Sequence, residues 1–85
     1  MIFDWDEKNN ALLKKERWMS FEEIVARIES WDLIAVEENK WTYKEQHLIY
    51  LQIEKYVWVV PCLIIWDQCR LITAYPSRVA TKRFI

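Results

Sequence analysis

Four basic side chains lie near the end of this chain with no acid among them: Arg70, Arg78, Lys82 and Arg83. Residues 1–39 hold ten acids against five bases, so the net charge of −1 conceals a gradient from −5 at one end to +4 at the other. Such asymmetry points to an anionic partner for the C-terminal end; the plainer reading is a solvated tail. An arginine fork grips phosphate or carboxylate through two donors at once, whereas lysine acts as a point charge. His47 is the only histidine, and histidine alone changes charge near neutrality when unperturbed. It is the natural proton carrier, unless it is a satisfied strand histidine. Tyr43, Lys44 and Glu45 stand close to it in sequence, and Trp41 either stacks on a planar ligand or lids the sheet.

Other chemistries are excluded. Cys62 and Cys69 do not form a CxxC, and one histidine cannot complete a common zinc set. They read as two small apolar residues, and no metal or other cofactor is implied. The chain has no glycine, which removes the phosphate-cradling P-loop and the dinucleotide fingerprint. Turns must then draw on Asn, Asp and Pro.

The elements that must position these residues follow from pattern. With 85 residues, of which 53% are hydrophobic, residues 1–85 read as one domain with ample core material. Six tryptophans add to it, each able to bury roughly 150–250 Å². Asp4, Asp6 and Glu7 interrupt any signal peptide, and the apolar run from Tyr56 to Trp66 is too short to cross a bilayer as a helix. A reduced, soluble, cytoplasmic protein is expected.

Ile2 to Trp5 alternates as a short first strand, and Asp6 caps a helix ending near Arg17. Ser20 and Glu23 form a capping box, and Phe21, Ile24, Val25, Ile28 and Trp31 make one helical stripe. Leu33–Val36, His47–Ile53, Tyr56–Ile65 and Cys69–Tyr75 read as strands, with 37–43 as a loop and Pro76 ending the last strand. Pro61 removes a ladder donor, so a bulge or an edge is expected there. Ser77 caps a short final helix over Arg78–Phe84. The fold class is α+β: two N-terminal helices on a four-stranded, mainly antiparallel sheet.

Three stretches carry a family resemblance. Phe3-Asp4-Trp5-Asp6-Glu7-Lys8-Asn9 opens the chain, Ser20-Phe21-Glu22-Glu23 begins the second helix, and Arg70-Leu71-Ile72-Thr73-Ala74 precedes Ser77-Arg78-Val79-Ala80-Thr81-Lys82. Together they resemble the BrnT-like toxins of bacterial toxin–antitoxin pairs. That resemblance implies a RelE-like ribonuclease fold, metal-independent RNA cleavage, and an antitoxin partner forming a hetero-oligomer. It singles out Arg70, Arg78 and Thr81. The family's loop histidine has no counterpart in 37–46, and Pro76 adds residues before Arg78.

Cleavage by a ribose 2′-OH needs a base, cations for the phosphorane and an acid for the leaving oxygen. Arg70 and Arg78 suit the phosphorane, and Lys82 and Arg83 suit flanking phosphates. His47 is the first choice for proton transfer, with Glu45 as another base and Tyr43 or Tyr75 as donor or stacking platform. Lys44 and Trp41 complete the RNA-binding set. The competing class is a non-catalytic protein-binding module, which a pI near 5.8 and the aromatic content favour. A degenerate toxin-family member that has lost activity is a third reading.

Overall fold

The computed structural model describes residues 1–38 and 46–85. The order is β1 (Ile2–Trp5), α1 (Glu7–Arg17), α2 (Phe21–Glu29), β2 (Leu33–Glu38), β3 (Gln46–Ile53), β4 (Tyr56–Ile65), β5 (Gln68–Leu71), β6 (Tyr75–Ser77) and α3 (Arg78–Phe84). The class is α+β, as the pattern predicts. The sheet is larger than expected, with six strands among the described residues, in the order β1-β5-β4-β3-β2 and with β6 also on β4. It is also mixed, because β1 lies parallel to β5 while the other pairs are antiparallel.

The helices begin where their caps dictate. The Asp6 carboxylate accepts from the Lys8 N–H at 2.8 Å, and Ser20 Oγ accepts from the Glu23 N–H at 3.1 Å. Asn10, wholly buried, ties the two helices together. Its Oδ1 accepts the Phe21 N–H at 2.8 Å and its Nδ2 donates to Glu22 at 2.8 Å.

Two corrections to the strand reading have physical causes. The run expected as one strand over Cys69–Tyr75 is split. Cys62 pairs with Leu71 and Val59 with Tyr75, leaving two residues of β4 opposite three of its partner. The extra residue sits beside Pro61, whose carbonyl accepts from Ile72 N–H at 3.0 Å and whose nitrogen has no proton to donate. The predicted bulge is therefore real, and Pro76 lies inside β6 rather than ending a strand. Likewise β2 continues through Glu37 and Glu38, expected as loop, because both pair with β3.

Turn chemistry also departs from expectation. Trp18, Trp31, Glu54 and Trp66 all have φ between 57° and 69°. In a chain without glycine, tryptophan takes three left-handed positions that Gly or Asn fills more cheaply. All three tryptophans are over 90% exposed.

Side chains alternate across the pleat, so each strand divides between two faces. One face carries Phe3, Trp5, Ile49, Leu51, Ile53, Val60, Cys62, Cys69 and Leu71 against Leu13 of α1 and Phe21 and Ile24 of α2. The Trp5 and Phe21 ring centroids stand 5.7 Å apart. The other face carries Tyr50, Val57 and Val59 under Ala80 and Phe84 of α3. No helix among the described residues is long and apolar enough to cross a membrane.

Candidate nucleic-acid interface

The short α3 covers only part of its sheet face. Thr81 holds it there: its Oγ1 accepts the Val57 N–H at 2.9 Å and donates to the Ser77 carbonyl at 2.6 Å. Thr81, singled out by the resemblance, thus pins the helix to β4. Beyond α3 the same face continues through half-buried Pro61 and Leu63 to exposed Arg70. Tyr75 faces this way too, opposite Val59.

Two of the four C-terminal bases are engaged on this face by acids from the first half of the chain. Arg70 lies opposite Asp4 across the β1–β5 pair and donates to it at 3.1 Å, both side chains about half exposed. A solvent-exposed pair of this kind adds little stability and yields readily to a better anion. Arg83 reaches back from α3 to Glu37 and grips both carboxylate oxygens, one at 3.0 Å. Its guanidinium also lies 4.7 Å from the Phe84 ring centroid and 5.8 Å from that of Tyr50.

Arg83 holds the Glu37 carboxyl below the ordinary carboxylate range. Burial, and then the charge of Glu37, push the Tyr50 hydroxyl above its ordinary value, so it stays a proton donor. A cation, a carboxylate and a protonated phenol therefore meet at one point. Glu37 and Arg70 stand on β2 and β5, three strand spacings apart, or about 14 Å. An extended anionic chain crossing the face meets a cation at each side.

The structure separates other residues of the expected set. His47 pairs with Cys62, which belongs to the core under α1 and α2, so His47 faces away from Arg70. Arg78 opens α3 and lines a cleft with Met19, Arg27 and Trp58 on the helix-covered side. Arg70, Arg78 and His47 are thus not gathered into one catalytic cluster. Lys82 is exposed on α3, and Trp41, Tyr43, Lys44 and Glu45 lie outside the described residues.

Sequence reasoning missed Glu37 and Tyr50. Glu37 fell in a segment that reads as loop, and its place beside Tyr50 on the α3 side follows only from the strand register, with Glu37 opposite Leu48 and Ala35 opposite Tyr50. Among the described residues, no group of three or more His, Cys, Asp or Glu is placed to hold a metal. Comparison of the chain with models of known families, with curated proteins and with solved structures finds no match.

Proposed function

We propose that this chain is the RNA-cleaving toxin of a bacterial toxin–antitoxin pair. On this reading it is a cytoplasmic, BrnT-like member of the RelE-like ribonucleases that needs no metal and is restrained by an antitoxin. One observation carries the reading. Arg70 on β5, Tyr75 on β6 and Arg83 on α3 share a sheet face that α3 leaves partly open.

RNA crosses this face with one phosphate at Arg83 and another at Arg70, and Tyr75 offers its ring to a base. At Arg83 the incoming phosphate displaces Glu37 from the guanidinium. The released carboxylate takes the 2′-OH proton, the 2′ oxygen bonds to phosphorus, and the bond to the 5′ oxygen breaks. The Tyr50 hydroxyl supplies the proton that the leaving oxygen needs. The products are a 2′,3′-cyclic phosphate and a 5′-hydroxyl end.

The test is induced expression in bacteria with RNA ends mapped in the same cultures. Wild type arrests growth and creates new 5′-hydroxyl ends. Arg83→Ala lowers cleavage by about a hundredfold or more, and Arg70→Ala weakens it less. Unchanged arrest and unchanged ends in the double variant would sink the proposal.

A second reading has its own observation. Trp18, Trp31 and Trp66 are 92%, 93% and 92% exposed, and exposed tryptophans are enriched at protein-binding hot spots. A non-catalytic binding module is harmless on expression and indifferent to Arg70→Ala and Arg83→Ala.

A further inference from the structure

A cleft of about 520 Å³ lies on the other side of the sheet, where α2 meets the β3–β4 hairpin and the start of α3. Its volume is within the range of small-molecule sites, roughly 300–1,000 Å³. Its walls combine an apolar part with a few polar groups. Met19 and half-buried Trp58 form apolar wall, and exposed Tyr56 stands beside them. Arg27, Glu54 and Arg78 supply the charge.

The two arginines differ in what they already hold. Arg27 donates to Glu23 at 3.2 Å and to Asp32 at 3.5 Å. Arg78, exposed at the cleft, has no ion-pair or side-chain hydrogen-bond partner among the described residues. An arginine with its fork unengaged beside an indole and a phenol suits one chemical class: a planar aromatic ring that carries an anionic group. The ring stacks on Trp58 or Tyr56, and the anion takes the Arg78 fork. Glu54, which has no ion-pair partner among the described residues either, adds an acceptor for an exocyclic amine.

We propose that this cleft binds a nucleoside monophosphate whose base carries an exocyclic amine. Binding here is separate from cleavage on the α3 face, because Arg78 and Arg70 lie on opposite sides of the sheet. The proposal therefore survives if the ribonuclease reading fails.

The test is a titration of the folded full chain with 5′-AMP, followed by the indole N–H resonances of its tryptophans. The Trp58 signal moves with AMP while the Trp66 signal, at the far hairpin, stays. Arg78→Ala weakens AMP binding by about tenfold or more and leaves the weaker binding of adenosine unchanged. Uridine monophosphate, which lacks the amine, binds more weakly than AMP, and Arg70→Ala binds AMP like wild type. A short RNA ending in adenosine 3′-phosphate, titrated alongside, distinguishes the sources: tighter binding than AMP assigns the site to an RNA end, and weaker binding to the free nucleotide. No movement of Trp58 at millimolar AMP overturns the proposal. So does equal AMP binding by wild type and Arg78→Ala, or equal loss in Arg78→Ala and Arg70→Ala.

Discussion

Replacing Asn10 by Ala tests how α1 and α2 are held together. The side chain is fully buried and satisfies two groups at once. Its loss leaves the Phe21 N–H, in a residue with no exposed surface, without its acceptor. An orphaned buried donor costs about 1–3 kcal/mol, and the small void adds less than about 1 kcal/mol at roughly 24 cal/mol per Å³. The expected total is about 2–3 kcal/mol. For a domain of roughly 60–100 residues that lowers the melting temperature by about 10–20 °C. Thermal unfolding followed by far-UV circular dichroism measures it. Asn10→Asp separates the two bonds, since a carboxylate still accepts from Phe21 but cannot donate to Glu22. The new carboxylate beside Glu22 has its folded pKa raised above the unfolded one, so the folded state binds more protons and this variant gains stability as pH falls. A drop of less than about 2 °C for Asn10→Ala, which corresponds to under about half a kcal/mol, would refute the assignment of Asn10 as the tie between the helices.

Three further outcomes are expected. Glu37 and Glu22 both have their carboxyls held below the ordinary range, by Arg83 and by Asn10 respectively. Groups depressed in the folded state stabilise above their unfolded pKa and lose that contribution as pH falls through the folded pKa. Glu37→Gln should therefore flatten the acid limb of a melting-temperature profile; an unchanged limb would show that the Arg83 contact contributes nothing. Cys62 and Cys69 are fully buried and unpaired by any disulfide. With no exposed surface on either residue, neither should react with a disulfide reagent until the protein unfolds, and rapid labelling of the native protein would contradict that. Trp66, 92% exposed at φ 58°, pays for a left-handed turn without packing in return. Trp66→Asn should raise stability by about 1 kcal/mol, measured by urea unfolding, and a loss would mean that the indole has a structural contact.

The helices were legible because their signals are local. Asp6 before α1 and Ser20 before α2 are caps written within four residues, and each side-chain oxygen accepts the predicted N–H; the Glu23 carboxylate, expected to complete a capping box, pairs with Arg27 instead. Pro61 announced the break in its neighbour because a missing N–H has one consequence in a ladder. The parallel docking of β1 was not legible, since Ile2–Trp5 shows period-two alternation but nothing in it names a partner sixty-odd residues away. Glu37 and Glu38 read as loop because two successive acids are rare in a strand, yet an edge strand tolerates them when one is gripped by an arginine from α3. The sequence counts Trp18, Trp31 and Trp66 with the core material, but in a chain lacking glycine all three stand at exposed left-handed turns.

The charge gradient shows why composition alone misleads about partners. The sequence separates acids from bases along the chain, and the fold brings part of them back together. Asp4 meets Arg70 across β1 and β5, and Glu37 meets Arg83 across β2 and α3. Half of the C-terminal positive charge is thereby matched within the protein before any partner arrives. What remains is Lys82 on the outer surface of α3 and Arg78 in its cleft. Under the proposed function, an RNA strand on the α3 face therefore competes with two carboxylates. That competition makes binding weaker, and shallower in its salt dependence, than a +4 tail would suggest. It also makes a direct comparison available: Asp4→Asn releases Arg70 without removing it, so RNA affinity should rise rather than fall. If affinity instead falls, Asp4 is holding Arg70 in place for its ligand, and the pair is part of the site rather than a competitor for it.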